Sequence, residues 1–342
     1  MMFLKNQWYA VAWDSDIGGK PVGRTICGEK IVFYRKRDRS LVALEDCCPH
    51  RLFPLSQGFV HEDRLVCGYH GLTFADSGQC VHMPSQDTIN PNAHIRAYPV
   101  IERYRFIWVW IGDAALADPA LLPALPWCAD PAWAFDGGTY QTACDYRLVI
   151  DNLMDLTHET YVHSTSIGQK ELTEAPFEAK LVGDRARVSR WTLNVEPPPF
   201  WVHNWKSKER VDRWQICDYS VPGIITIDVG VARAGTGAPQ GDRSQGISAT
   251  VVNLITPETE TSCWYHWGFA RNFETDDQGL TMRIRDAQGG VFMEDIEVFV
   301  HQQQNILARP DRKMMSLNID AGGVLARRLL DRALVQAADK AA

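Results

Sequence analysis

Short apolar runs broken by turn residues fill the chain up to about Gly112. Lys30-Ile31-Val32-Phe33-Tyr34 and Phe106-Ile107-Trp108-Val109-Trp110-Ile111 are β-branched and aromatic, which suits strands of a small all-β domain. Residues 113–133 are rich in Ala and Pro, with prolines at 119, 123, 126 and 131, and read as a connector. Beyond it the pattern changes. A strand is expected over 137–146. Leu148, Leu153, Leu156 and Tyr161 follow at helical spacing within 147–163. Residues 177–270 alternate strand-like stretches with loops, and 234–246 holds four glycines and reads as a mobile loop. A long helix is expected over 280–309, with a weak point at Gly289-Gly290. An amphipathic helix over 323–338 carries Leu325, Leu329, Leu330 and Leu334 on one side. The pattern predicts an all-β domain over 1–112, a connector over 113–133 and an α+β domain with an antiparallel sheet over 134–342.

Composition narrows the function classes. The chain has 342 residues, 45% of them hydrophobic, enough for two cored domains. A formal net charge of -7, without basic runs, argues against nucleic acid or an anionic membrane as partner. No run of about 18 apolar residues appears, and the opening MMFLKNQWYA lacks the apolar stretch of a secretion signal. Nine scattered cysteines are an odd count and do not suit a secreted disulfide framework. The expected compartment is the cytoplasm.

Two constellations carry candidate chemistry. Cys48-Pro49-His50 is followed after sixteen residues by Cys67-Gly68-Tyr69-His70. Zinc and an iron–sulfur cluster both use these donors. The one-residue gap between Cys48 and His50 is tighter than zinc-finger spacing, and each loop supplies one Cys and one His. A Rieske [2Fe–2S] centre requires that division, because two thiolates bind one iron and two imidazoles the other. Cys47 and Cys48 are adjacent on an extended segment, so only one of them can serve, and Cys48 makes the C-P-H pattern. Cys27, Cys80, Cys128, Cys144, Cys217 and Cys263 read as buried bystanders, and His61, His82 and His94 lack a partner at ligand spacing.

The second constellation is D-x2-H-x4-H, formed by Asp155, His158 and His163. Asp155 and His158 are three apart and would share a helical face. His158 and His163 are five apart, which on a regular helix leaves them about 140° out of phase. Both can reach one metal only where the helix bends or ends, so an irregular helix is expected here. Two imidazoles and a carboxylate on one face of Fe(II) leave positions open for oxygen. Asp295, on the long helix, is the best candidate carboxylate, with Glu294 and Asp286 as weaker competitors. Asp155 suits a supporting role that orients His158 and carries the incoming electron, and Asn152 faces the same side of the helix.

A Rieske motif followed about a hundred residues later by D-x2-H-x4-H resembles the Rieske non-haem iron oxygenases. Within them, Asn152–Thr165 (NLMDLTHETYVHST), Ser166–Glu171 (SIGQKE), Pro197–Trp201 (PPPFW), Ile255–Thr261 (ITPETET) and Leu317–Gly323 (LNIDAGG) resemble the vanillate O-demethylase oxygenase components. Dicamba O-demethylase is similar but more distant. The resemblance implies an N-terminal Rieske domain and a helix-grip-like catalytic domain. It implies cluster ligands at Cys48, His50, Cys67 and His70, mononuclear iron ligands at His158, His163 and Asp295, and Asp155 as a bridge. It also implies a homotrimer in which His70 of one subunit meets Asp155 of the next. A separate reductase, carrying flavin and a ferredoxin-type [2Fe–2S] cluster, would relay electrons from NADH. One departure stands out: Leu52-Phe53 follows C-P-H-R where these demethylases carry Gly-Ala. The bulkier shoulder bears on docking of the reductase or on the subunit contact.

The implied reaction is O2-dependent demethylation of vanillate, or a similar methoxybenzoate, to the phenol and formaldehyde. The chain has no G-x-G-x-x-G after a strand and should reach NADH only through the reductase. A substrate carboxylate needs a donor in an apolar pocket, and Arg190, Asn253 and His266 on expected strands are the candidates. A second reading is hydroxylation of another aromatic acid, such as a sulfonated, halogenated or methyl-substituted benzoate. A third is a Rieske electron carrier, which would leave some 230 residues after the cluster domain without a purpose.

Overall fold

The apolar runs near the N-terminus form strands because each is bounded by residues that turn easily. The computed structural model describes residues 3–164, 167–168 and 171–339. Thr165, Ser166, Gln169 and Lys170, within two of the stretches quoted above, lie outside the described residues. Two compact units emerge. The first holds Phe3–Pro123 and Thr256–Thr259; the second holds the described residues of 124–255 and 260–339.

The first unit contains three small sheets. β1 (Gln7–Trp13) pairs with β10 (Phe106–Ile111), which pairs with β9 (Val100–Arg103). β2 (Val22–Ile26), β3 (Glu29–Arg35) and β4 (Leu41–Glu45) form the second sheet. β5 (Phe59–His61), β6 (Arg64–Val66), β7 (Thr73–Phe74) and β8 (Cys80–His82) form the third. β10 is buried along its whole length, so it reads as an unbroken apolar run rather than an alternating one. Trp8 and Trp110 face each other in the β1–β10 register, edge to face at 5.3 Å.

The expected connector is built rather than loose. It carries 3-10 turns at Ala114–Leu116, Pro119–Leu121 and Pro126–Cys128, and the unit boundary falls between Pro123 and Ala124. The Asp113 and Asp118 carboxylates cap the first two turns by accepting from Ala115 N and Ala120 N. Thr256–Thr259 join the first unit through tertiary bonds: Thr256 Oγ1 donates to Ala10 O at 2.6 Å and Cys27 N to Pro257 O at 2.8 Å. No local pattern signals that excursion.

The second unit is built on a seven-stranded antiparallel sheet. Its members are β11 (Ala134–Thr142), β12 (Phe177–Val182), β13 (Arg185–Val195), β14 (Val211–Ser220), β15 (Ile224–Arg233), β16 (Gly246–Thr259) and β17 (Ser262–Arg271). They lie in the order β11-β17-β16-β15-β14-β13-β12. The helices are α1 (Tyr146–Leu153), α2 (Glu159–Val162), α3 (Glu171–Glu174), α4 (Pro199–Trp205), α5 (Gln278–Ala308) and α6 (Ala321–Asp339).

Asp277 caps the start of α5 by accepting from Leu280 N. The helix packs on β11 and β17 and runs unbroken through Gly289-Gly290, so the expected weak point is absent. Gly289 serves close approach instead: Tyr140 Oη donates to its carbonyl at 3.0 Å, and a Cβ there would lie 3.0 Å from that oxygen. α6 packs on α1, where Arg327 grips Asp151 with bonds of 2.9 and 2.6 Å. Gly322, in the LNIDAGG stretch, comes so near the end of α1 that a Cβ would lie 2.5 Å from Met154 O.

Gly230 on β15 faces Trp214 on β14, and a Cβ there would sit 2.1 Å from the fully buried indole. Gly230→Ala should therefore destabilise the second unit by about 2 kcal/mol, read as a lower denaturant midpoint. A change under about 0.5 kcal/mol would mean that the sheet gives way more easily than its packing implies.

Candidate metal centres and their cavity

The two cysteine–histidine loops share one backbone solution. Cys48 N donates to Phe53 O and Leu52 N to Cys48 O; Cys67 N donates to Leu72 O and Gly71 N to Cys67 O. The fifth residue of each loop, Leu52 or Gly71, has positive φ, at 56° and 77°. The loops bury their thiols and expose their imidazoles. Cys48 and Cys67 are 1% and 2% exposed, whereas His50 and His70 face solvent with ring centres 4.5 Å apart. Burial first, with the neighbouring Cys67 thiol, pushes the Cys48 thiol up to about 11. A buried thiol pair opposite an exposed imidazole pair fits a centre with sulfur on one iron and nitrogen on the other. Cys47, half-buried, is not part of this core. Cys27, Cys80, Cys128, Cys144, Cys217 and Cys263 are buried.

The second centre sits where helix formation fails. α1 ends at Leu153, and His158 and His163 flank the single turn of α2 as its N-cap and C-cap. The spacing mismatch is resolved by non-helical residues on both sides, and the rings meet at 5.2 Å and 73°. Asp155 does not share a helix face with His158. Its backbone carbonyl accepts from His158 Nδ1, while its carboxylate accepts from Thr157 N at 2.7 Å. The backbone carbonyl, rather than the expected carboxylate, orients His158 within the chain.

Asp295 reaches this turn from α5 and is 2% exposed. Its Oδ1 lies 3.6 Å from His158 Nε2 and 3.3 Å from His163 Nε2. Asn152 Nδ2 donates to the same oxygen at 3.2 Å. Glu294 stands behind His163, accepting from Nδ1 at 2.6 Å, and Asp286 is exposed and pairs with Arg285. Both imidazoles thus spend their Nδ1 protons on oxygen acceptors and turn Nε2 toward one carboxylate oxygen. Three lone pairs converge, an arrangement that repels unless a cation lies among them. Atoms about 2.1 Å from one metal at right angles would be about 3 Å apart, close to what is seen. Among the described residues, His158, His163 and Asp295 form a group able to hold a metal ion. Burial opposes protonation of His163, but Asp295 and Glu294 raise its pKa nonetheless.

A cavity opens beside these atoms. Its floor is Arg213 and Gln215 of β14, Ile227 and Val229 of β15, Val251 of β16 and Phe269 of β17. α5 covers it with Gln288, Val291, Phe292 and Asp295, and Pro198, Phe200 and Trp201 of the PPPFW stretch close one side. Arg190, Asn253 and His266, the expected substrate contacts, do not line it. Arg190 donates to Leu156 O and Thr157 Oγ1, Asn253 accepts from Tyr265 Oη, and His266 Nδ1 meets Thr139 Oγ1. Each is buried and serves the scaffold. The polar groups that do line the cavity include Glu159, Arg213 and Gln215. A sequence signal for the last two exists: V-x-R-x-Q-x-C-x-Y puts polar residues on the period-2 face that Val211, Cys217 and Tyr219 bury.

Residues 142–336 match the family model described as the vanillate O-demethylase oxygenase C-terminal domain, and residues 7–99 match the Rieske [2Fe-2S] domain. The chain belongs to the vanillate O-demethylase oxygenase family. It is 50% identical to a vanillate O-demethylase oxygenase subunit of Pseudomonas sp. strain HR199, across 99% of this chain and 98% of that one. A toluene-4-sulfonate monooxygenase iron-sulfur subunit of Comamonas testosteroni is 38% identical over 97% of both chains. Dicamba monooxygenase bound to 3,6-dichlorosalicylic acid superposes with a TM-score of 0.92 at 32% identity, covering 99% of each chain. A further structure of that enzyme, with non-haem iron and dicamba, scores 0.84. As a member of this family, the chain is a Rieske-type monooxygenase with a [2Fe–2S] cluster and a mononuclear iron, working with a reductase. No helix among the described residues is long and apolar enough to cross a membrane.

Leu52 is 74% exposed and takes the left-handed position that Gly71 fills in the sister loop. Relief of that strain outweighs the added freedom of the unfolded chain, so Leu52→Gly should stabilise the cluster domain by about 0.5–1 kcal/mol. Thermal bleaching of the cluster's visible absorption should move upward. A lower midpoint would show that Leu52 makes a stabilising contact outweighing its backbone strain.

Proposed function

We propose that this chain is the oxygenase subunit that demethylates vanillate, or a methoxybenzoate of the same shape. The observation that carries this reading is an apolar cavity for an aromatic ring, walled on one side by His158, His163 and Asp295. The 50% identity to a vanillate O-demethylase oxygenase subunit supports the substrate. Cys48 and Cys67 would hold one iron of the cluster and His50 and His70 the other, while His158, His163 and Asp295 would hold the mononuclear iron. When bound, that iron activates dioxygen with electrons delivered through the cluster.

The protein's own groups position the reactants. Glu294 and the Asp155 carbonyl fix the two imidazoles, and Asn152 steadies Asp295. Val229, Val251 and Phe292 exclude water and hold the ring. The substrate's methyl carbon gains a hydroxyl from one oxygen atom, and the other leaves as water, consuming two electrons and two protons. The hemiacetal then collapses to phenol and formaldehyde. The electrons come from NADH through a reductase carrying flavin and a ferredoxin-type [2Fe–2S] cluster. The working unit is a cytoplasmic homotrimer in which His70 of one copy faces Asp155 of the next, a reading supported by the exposed His50 and His70 edges.

A panel of methoxybenzoates and toluene-4-sulfonate, turned over with a reconstituted reductase, tests the substrate. Formaldehyde should appear with vanillate. Its absence with both vanillate and veratrate would sink the demethylase reading, and oxidation of the sulfonate would favour the methyl-hydroxylating alternative suggested by the 38% relative. Asp295→Ala should lose about one iron per chain while the cluster's visible spectrum survives. Loss of both metals would remove Asp295 from its assigned role.

A further inference from the structure

The cavity's wall on β14 is polar in a particular sense, and this bears on which ring enters. Glu159, Arg213 and Gln215 are 7%, 5% and 3% exposed. Gln215 Nε2 donates to Glu159 Oε1 at 2.5 Å, which fixes the orientation of the amide and leaves its oxygen as the other end. That oxygen, Gln215 Oε1, is buried and has no hydrogen-bond partner, and the same holds for Glu159 Oε2, which lies 3.6 Å from Arg213 Nη2. Two buried acceptors therefore border the cavity in need of a donor. The adjacent charges, Arg213 and Glu159, offset each other, so a ligand anion gains little here. A hydroxyl, by contrast, can donate to either orphaned oxygen. The rest of the floor, Ile227, Val229 and Val251, offers no competing polar group.

The geometry points to Gln215, with Glu159, as the site that recognises a hydroxyl on the substrate ring and so selects 4-hydroxy-3-methoxybenzoates over methoxybenzoates without that hydroxyl. The inference rests on the demethylase reading for the methoxy group but is tested by binding rather than turnover. A hydroxyl placed here turns the ring within the cavity, so this contact sets which ring substituent faces His158, His163 and Asp295. Gln215 is a positioning residue in this scheme.

The test is calorimetric titration of the holoenzyme under nitrogen, with vanillate and with 3-methoxybenzoate, for the wild type, Gln215→Met and Gln215→Leu. Loss of a ligand hydrogen bond at a buried polar group is worth roughly tenfold in affinity. The wild type should prefer vanillate by about that factor. Both variants should lose about tenfold toward vanillate and less than about twofold toward 3-methoxybenzoate. The ratio within one variant is insensitive to a general loss of folding. Equal weakening toward both ligands, or none toward either, would overturn the assignment, since a resident water or a packing role would give that result. Selective loss of vanillate binding without any formaldehyde from the wild type would support hydroxyl recognition while sinking the demethylase reading.

Discussion

Three lone pairs aimed at one point are the constraint on which the catalytic unit depends. Asp295 Oδ1 lies 3.6 Å from His158 Nε2 and 3.3 Å from His163 Nε2, and both Asp295 and His163 are buried, where water screens them weakly. Glu294 and the Asp155 carbonyl take the Nδ1 protons, so neither ring can relieve the crowding by flipping its tautomer. Such a set is unfavourable without a cation and favourable with one, which couples metal binding to the stability of this region. Much of the nearby architecture keeps the three together. α5 delivers Asp295, the broken helix delivers both histidines, and α6 clamps α1 through Arg327 and Asp151.

The cluster loops solve the complementary problem. There the sulfurs are buried and the nitrogens exposed, so His50 and His70 would hold their iron from the solvent side and Cys48 and Cys67 theirs from the core. The two loops repeat the same hydrogen bonds around Cys48 and Cys67, and the repetition makes the four donors a set. Leu52 occupies a backbone position that its sister loop gives to glycine. A bulky apolar side chain is thereby held in solvent beside His50, at the cost of backbone strain.

The sheet of the second unit acts as a graded floor. β14 contributes polar groups, while β15, β16 and β17 contribute apolar ones. A ring lying across it meets different chemistry at its two edges. The grading follows from strand order, since β14 and β15 are neighbours and Gln215 lies opposite Val229. Trp214 packs on the opposite side of β14, over Gly230, which leaves room for the indole by lacking a side chain.

Both metal constellations were legible in the sequence because their donors are local: C-P-H, C-G-Y-H and D-x2-H-x4-H each fall within a few residues. Helix phase alone foretold the break between His158 and His163. The long α5 and the β-rich first unit followed from periodicity. What escaped depends on distant partners. Glu294 looked like a rival to Asp295, and only the docking of α5 shows it behind His163. Arg190, Asn253 and His266 looked like substrate contacts because buried polar residues resemble ligand-binding ones until their partners are known. Arg213 and Gln215 lie on a buried strand face, where spacing alone does not separate a cavity-lining polar group from a structural one. The sequence alone determined the two cysteine–histidine pairs and the histidine pair as candidate metal donors, because donor type and spacing are local properties; the carboxylate that joins the histidines was decided by the docking of α5. Which polar groups face the cavity and which are spent on the scaffold was decided by tertiary structure, because only strand order and helix docking bring their partners within hydrogen-bonding distance.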